Sequence, residues 1–535
     1  MAFGAAVSAS MPAWDDVVQW ASRTPALVNK MKGGYPRFFI HHVIQNLNSE
    51  VLSRLELAGP GCMVFPSSAI VSRCLETLTT DASSREIRVI SFSLPRCFSN
   101  EFTPEEIKWA SFEAVIYPSD IHSEFLAFWR ESGEGISSRH AEYVLSLLEQ
   151  MTYMENGKDS PSPASVSFLP EAVKLKCDKK AKRHIRSLIA ELMTTEKDTF
   201  VMSHDVFLFP SGMSAIYAVS RALKATNLNR SQSVVVYGFP YAETVKGIEM
   251  TGWSHFRMHG HGSKTELDQL EADLVKGHRI SALFCEFPSN PQLRSPDLRR
   301  LRMLADRYNF AIACDDTIGS CINVNVLPFA DIVMTSLTKS FSGGSDVMGG
   351  CVVVNPQSPH FDTIYDALLS DWEDNYFPAD AITLSKNCTD VVSRVQKSSF
   401  SAESIANLLN EHPAVERVNY PSLVGTRDFY EQAKREDGGY GFLLSVIFHE
   451  PAAAIGFYDN FRVAKGPSLG TNFTLAIPYA FLAHFRELEW AASYDVPSHI
   501  VRISVGLEDT DELLKVVGQA LGCIPAEFTL SQSKV

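Results

Sequence analysis

Lys339 stands in the run DIVMTSLTKSFSGGSDVMGG, just after the apolar stretch Ile332-Val333-Met334. Ser336 and Thr338 precede it and Gly343-Gly344 follow it. A lysine at the end of a buried strand is desolvated, loses its proton more readily and can attack a carbonyl to form an imine. The two hydroxyls could hold an anion beside it. The competing reading is a strand-end lysine that reaches for water. Other groups sit at similar positions. Ser211-Gly212-Met213 opens a helix whose apolar face carries Ile216, Val219, Ala222 and Leu223. The free amides at such a start attract phosphate, although Ser-Gly can also be a plain cap. Asn290 lies in the turn Pro288-Ser289-Asn290-Pro291, and the pair Asp315-Asp316 precedes Thr317. Arg502 lies within the apolar run Val501 to Leu507, so a ligand or a buried salt bridge must meet its charge.

The elements that must position these groups follow from periodicity. From about residue 166, strand-like and helical segments alternate, the mark of a mainly parallel sheet. Strands are expected at 205–210, 233–238, 279–287, 310–314, 332–334 and 351–354. Their C-terminal ends carry the polar residues above, which is where α/β sheets place ligands. Ser295-Pro296 is expected to start a helix with proline at its first position. After about 380, helical segments and strand-like runs at 415–421 and 441–448 indicate a smaller α+β domain. Upstream, a helical piece over 14–32 is followed by Gly33-Gly34-Tyr35-Pro36-Arg37, a turn or extended arm. Residues 41–165 include a strand at 87–92, a helix at 142–150 and a Ser/Pro-rich linker at 159–165. The expected organisation is an arm (1–40), an insertion region with linker (41–165), a large domain (166–385) and a small domain (386–535).

The 535 residues, 45% hydrophobic and 21% charged, suffice for a large core and two or three domains. A formal net charge of -14 argues against nucleic acid and anionic membrane surfaces as partners. No apolar run is long enough to span a bilayer, and the N-terminus lacks the basic start of a signal peptide. The ten cysteines show no paired spacing, and Cys285, Cys314 and Cys351 lie in apolar runs. Buried, reduced thiols and a cytoplasmic location are expected. His255, His259 and His261 lack a thiol or carboxylate partner nearby. They are expected in a solvated loop, with no metal.

The stretch around Lys339 resembles the cofactor-lysine signature of the pyridoxal-phosphate enzymes of cysteine and methionine metabolism: Ser-x-Thr-Lys, glycines, Asp, Gly-Gly. The resemblance runs from about Phe207 to Asp509 and is nearest in flavour to cystathionine γ-synthases of the fungal type. It implies a fold-type-I transferase with a mostly parallel, seven-stranded large domain and a smaller α+β C-terminal domain. It implies pyridoxal 5'-phosphate, held by Lys339, which afterwards moves protons. Asp315 would face the pyridine nitrogen and keep it protonated, so that the ring draws electrons. Asn290 would bond the phenolic oxygen. Tyr241 would stack on the ring and assist departure of the leaving group. Ser211, Gly212, Met213, Ser336 and Thr338 would hold the phosphate, joined by Tyr35 and Arg37 from a neighbouring subunit. Ser468, in Ser468-Leu469-Gly470, would lie against the substrate, and Arg502 would grip its α-carboxylate with a bidentate pair.

Three positions depart from the family pattern. Ala242 and Glu243 replace two glycines, Asp316 replaces an asparagine, and Phe473 replaces a glutamate that could help hold an amino-acid nucleophile. The implied reaction is γ-replacement on O-acetyl- or O-succinyl-L-homoserine, with L-cysteine giving L-cystathionine in transsulfuration and methionine biosynthesis. The alternatives are γ-substitution by sulfide, an amine or a β-keto-acid carbon in a fungal biosynthetic pathway, or a γ- or β-lyase. Small amino acids would be the substrates. The assembly would be a homotetramer, a dimer of dimers with shared sites.

Overall fold

The computed structural model describes residues 10–28, 30, 39–95, 102–155, 158–159, 175–176, 178–195 and 200–528. Tyr35, Arg37 and most of the expected 159–165 linker lie outside the described residues.

Residues 41–159 hold a sheet of β1 (Gly61–Phe65), β2 (Arg88–Ser93), β3 (Phe112–Tyr117), β4 (Thr152–Glu155) and β5 (Lys158–Asp159). The order is β1-β3-β2-β4-β5, and every pair is antiparallel. Successive side chains of a strand point to opposite faces, and here both faces are covered. Ile90, Phe92, Ala114 and Ile116 pack with Leu47, Trp109 and Val144 of the helices His42–Arg54, Pro104–Ala110 and Ser138–Leu147. Met63, Phe65, Val115 and Tyr117 pack with Ile70, Phe125 and Phe128 of Ser68–Glu76 and His122–Ser132. The expected insertion region is thus a layered unit with a core on each side of its sheet.

The central sheet contains β6 (Val206–Phe209), β7 (Ser233–Tyr237), β8 (His255–His259), β9 (Ala282–Glu286), β10 (Ala311–Asp315), β11 (Ile332–Thr335) and β12 (Gly350–Val354). Its order is β6-β12-β11-β10-β9-β7-β8. Only β12 runs against its neighbours. Sequences such as SVVVY and AIACD are nearly continuous apolar runs because the sheet is buried on both faces. Val234, Phe284, Ala313 and Met334 pack against the helix Gly212–Thr226 on one face. Val235, Leu283, Ile312 and Val333 meet Lys179–Met193, Lys264–Val275 and Leu298–Tyr308 on the other.

Two local expectations are corrected here. His255 to His259 is an edge strand, paired with β7, and not a solvated loop. Its polar side chains alternate with half-buried ones, and that composition reads as a loop until the backbone pairing is seen. Among the described residues no His, Cys, Asp and Glu cluster is arranged to hold a metal. The helix after Pro296 begins at Leu298, and Asp297 caps it by accepting from the Arg300 N–H at 3.0 Å.

The C-terminal sheet orders β13 (Val415–Asn419), β14 (Leu443–Phe448), β15 (Ala464–Lys465), β16 (Leu475–Pro478) and β17 (Val501–Ser504) as β13-β14-β17-β16-β15. Leu444, Val446, Phe448 and Ile503 form its core with Phe457, Tyr458, Val517 and Leu521 of the helices Pro451–Asn460 and Thr510–Gly522. The first helix ends earlier than expected, at Trp14–Ala21. It packs into this same core through Trp14, Val17 and Trp20. The Trp14 N–H donates to Asp459 at 2.8 Å, and the Trp14 ring meets the edges of Tyr458 and Phe481. Among the described residues no helix is long and apolar enough to cross a membrane. Seven of the described cysteines are free and buried, and Cys523 is free and exposed.

Candidate active site

The C-terminal ends of β9, β10 and β11 and the start of the helix Gly212–Thr226 open onto one buried cavity. Its wall contains Lys339, Asp315, Asn290, Tyr241, Arg502, Ser336, Thr338, Ser211, Gly212 and Met213. Ten residues expected from six separate segments therefore share one cavity. Of the others, Tyr35 and Arg37 lie outside the described residues, and Ser468 is represented in the wall by its neighbours Pro467 and Leu469.

Lys339 is 7% exposed and sits in a tight turn four residues beyond β11. The turn closes through Lys339 N–H to Ser336 O at 3.2 Å and Gly343 N–H to Lys339 O at 2.8 Å. Arg394, buried in the helix Val391–Asn410, holds this turn from outside. It donates to the carbonyls of Ser340 (2.9 Å) and Phe341 (3.0 Å). Gly470 presses on it from the C-terminal domain. With φ +66° and only 2.4 Å from the site of a Cβ to Ser340 N, this position admits glycine alone.

The N-terminus of Gly212–Thr226 is fixed by a reciprocal cap. Ser211 Oγ accepts from Ser214 N–H at 3.1 Å, and Ser214 Oγ accepts from Ser211 N–H at 3.0 Å. Ser211 Oγ also donates to Gly133 O at 3.1 Å, so the N-terminal unit touches the rim of the site. Its hydroxyl is thus committed to the backbone. The amides of Gly212 and Met213 have no intrahelical partner and suit an anion. A Cβ on Gly212 would lie 2.7 Å from Ser336 Cβ, so this close approach of helix and loop needs glycine. The Thr338 hydroxyl closes the loop by bonding both Gly349 O (3.2 Å) and Gly349 N–H (3.1 Å).

Asp315 and Asp316 point to opposite sides, as strand alternation requires. Asp315 lines the cavity and accepts from Thr317 N–H at 2.8 Å. Thr317 Oγ1 in turn accepts from Ser336 N–H at 2.7 Å, tying the ends of β10 and β11 together. Asp316 turns away from the cavity and accepts from the Thr335 hydroxyl. Burial pushes the Asp315 carboxyl up, and the Thr317 bonds and the charge of Lys339 pull it back. Burial also pushes Asp316 up, to about 7.

Glu286 was not singled out in the sequence. It closes β9 opposite Asp315, lines the cavity and is buried. Its carboxyl accepts the N–H of Tyr241 at 2.6 Å and of Asn290 at 3.1 Å, so one side chain fixes both segments. Burial, and then the nearby Asp315 charge, push it up to about 8. The signal for it was a carboxylate ending an apolar strand directly before a proline-rich turn. Tyr479, also in the wall, gave no local signal.

Arg502 is 3% exposed in β17. Its Nη2 donates to Pro467 O at 2.8 Å and Ser468 O at 3.2 Å, and its Nη1 to Asn290 Oδ1 at 3.4 Å. Ser468 thus meets Arg502 through its carbonyl. Opposite Arg502 in register, Ser445 donates to Pro291 O at 2.8 Å and clasps the Asn290 turn to the small domain. Phe473 is half-buried and is not part of the cavity wall. The neighbouring Thr474 is tied to Glu508 by 2.6 and 2.8 Å bonds.

A buried lysine, a facing carboxylate and free helix amides at the carboxyl edge of a parallel sheet define a fold-type-I pyridoxal-phosphate enzyme. The residues fit that cofactor: the amides at Gly212 and Met213 suit its phosphate, Asp315 its ring nitrogen and Lys339 its carbonyl. The chain belongs to the Cys/Met metabolism PLP-dependent enzymes, whose family model matches residues 182–522. Residues 43–137 match the N-terminal domain of fungal trans-sulfuration enzymes. A cystathionine gamma-synthase-like protein, ankD of Aspergillus thermomutatus, is 43% identical over 96% of this chain and 92% of its own. The cystathionine gamma-synthase of Neurospora crassa is 36% identical over 96% of both chains. A solved cystathionine gamma synthase from Xanthomonas oryzae pv. oryzae, in complex with cystathionine, shares 25% identity at a TM-score of 0.55. That match covers 69% of this chain and 92% of the other.

Proposed function

We propose that the chain catalyses γ-replacement on O-acetyl-L-homoserine, with L-cysteine as nucleophile and L-cystathionine as product. The observation that carries this reading is that Arg502 and Lys339 line the same cavity, one suited to an α-carboxylate and the other to proton transfer at the adjacent carbon. The full-length likeness to the Neurospora crassa cystathionine gamma-synthase supports the choice of substrates.

Bound pyridoxal phosphate supplies a carbonyl for covalent capture of the amino group and an electron-withdrawing ring. The chain's own residues do the rest. Arg502 fixes the α-carboxylate and orients the Cα–H bond. Lys339, buried in its turn, removes the Cα proton and later returns it. Asp315 would meet the ring nitrogen and keep it protonated, so that the ring draws electrons. Tyr241 would back the ring and could donate a proton toward the departing oxygen. In the net change, the Cγ–O bond breaks with loss of acetate, a Cγ–S bond forms, and the thiol proton passes to solvent.

The test is mass spectrometry of products from the purified holoenzyme, O-acetyl-L-homoserine and a panel of nucleophiles. Cystathionine is expected as the fastest product. A faster adduct with sulfide, an amine or a β-keto acid would move the function to specialised γ-substitution. Formation of a keto acid without an adduct would make it a lyase.

A further inference from the structure

Tyr479 follows β16, and its backbone N–H is anchored to Ile500 O at 3.1 Å, just ahead of β17. Its side chain is 1% exposed and lines the active-site cavity, yet its Oη has no hydrogen-bond partner among the described residues. A buried hydroxyl without a partner is unfavourable unless a ligand supplies one. The Arg502 guanidinium lies over the Tyr479 ring, 5.1 Å from its centroid, within cation–π range. The bonds from Arg502 to Pro467 O, Ser468 O and Asn290 Oδ1 orient its guanidinium beside the ring. Burial pushes the Tyr479 phenol well above its ordinary range, so it stays a neutral donor. A carboxylate has lone pairs enough to accept from a guanidinium and a phenol together.

We propose that Tyr479 is a ligand-binding and specificity residue, its hydroxyl donating to the same carboxylate that Arg502 holds. The proposal rests on the amino-acid substrate of the reading above and adds a second donor to it. Its ring steadies the guanidinium, while its hydroxyl selects ligands that carry a free carboxylate.

The experiment titrates the holoenzyme with L-norvaline, which has no leaving group, and with n-butylamine, its decarboxylated counterpart, following the visible absorbance. Tyr479→Phe keeps the ring and removes only the hydroxyl. The variant is expected to raise the Kd for norvaline about ten- to a hundredfold, the usual cost of one hydrogen bond to a charged group. The Kd for n-butylamine is expected to be unchanged, and its retention also shows that the variant is folded. Unchanged norvaline affinity, or equal loss for both ligands, would overturn the role of the phenol. A wild-type holoenzyme that binds neither ligand would instead overturn the amino-acid reading.

Discussion

Lys339→Ala is expected to lower turnover by at least about a thousandfold, within the roughly hundred- to ten-thousandfold that one acid–base group supplies. The loss is large because the residue serves twice, as the anchor and as the base. Among the described residues no other lysine lines the cavity to replace it. The turn is held by backbone bonds and by Arg394, so the variant should fold. The purified variant should also lose the visible band of the covalently held cofactor. Turnover within tenfold of wild type would place the reactive lysine elsewhere.

Asp315→Asn carries the second large effect, about a hundred- to a thousandfold in kcat, comparable to removing one preorganised electrostatic group. The substitution preserves shape and can still accept the bond from Thr317 N–H, but it removes the charge. Asp316→Asn is the matched control. Asp316 faces away from the cavity and bonds Thr335, so its loss should alter kcat by less than about tenfold. Equal losses in the two variants, measured by steady-state kinetics on the saturated holoenzyme, would contradict the assignment of Asp315.

Much of the site was legible because each piece is local. A strand end, a turn and one reactive side chain recur at Asn290, Asp315 and Lys339, and the parallel sheet brings such ends to a common edge. The choice of Asp315 over Asp316 followed from the family pattern, and strand alternation agrees with it. What was not legible depends on packing between distant segments. Arg394 steadies the lysine turn from a helix some 50 residues on, as its bond to Ser340 spans 54 positions. Glu286 matters because its two oxygens meet amides from two other loops. Tyr479 enters the cavity only once β16 pairs with β17. The Trp14 helix reads as part of an arm until its partners Tyr458 and Phe481 are known. Phe473 drew notice as a departure from the family pattern, but it lies outside the cavity wall. The histidine-rich β8 shows the converse: a polar edge strand looks like a loop because its hydrogen bonds, not its side chains, make it a strand.

The most direct measurement is reduction of the holoenzyme with borohydride, followed by peptide mass mapping. The pyridoxyl group is expected on the peptide that contains Lys339, at close to one per chain, and absent from Lys339→Ala. A pyridoxyl group on any other lysine, or none at all in a protein that turns over substrate, would contradict the assignment of this cavity as the active site.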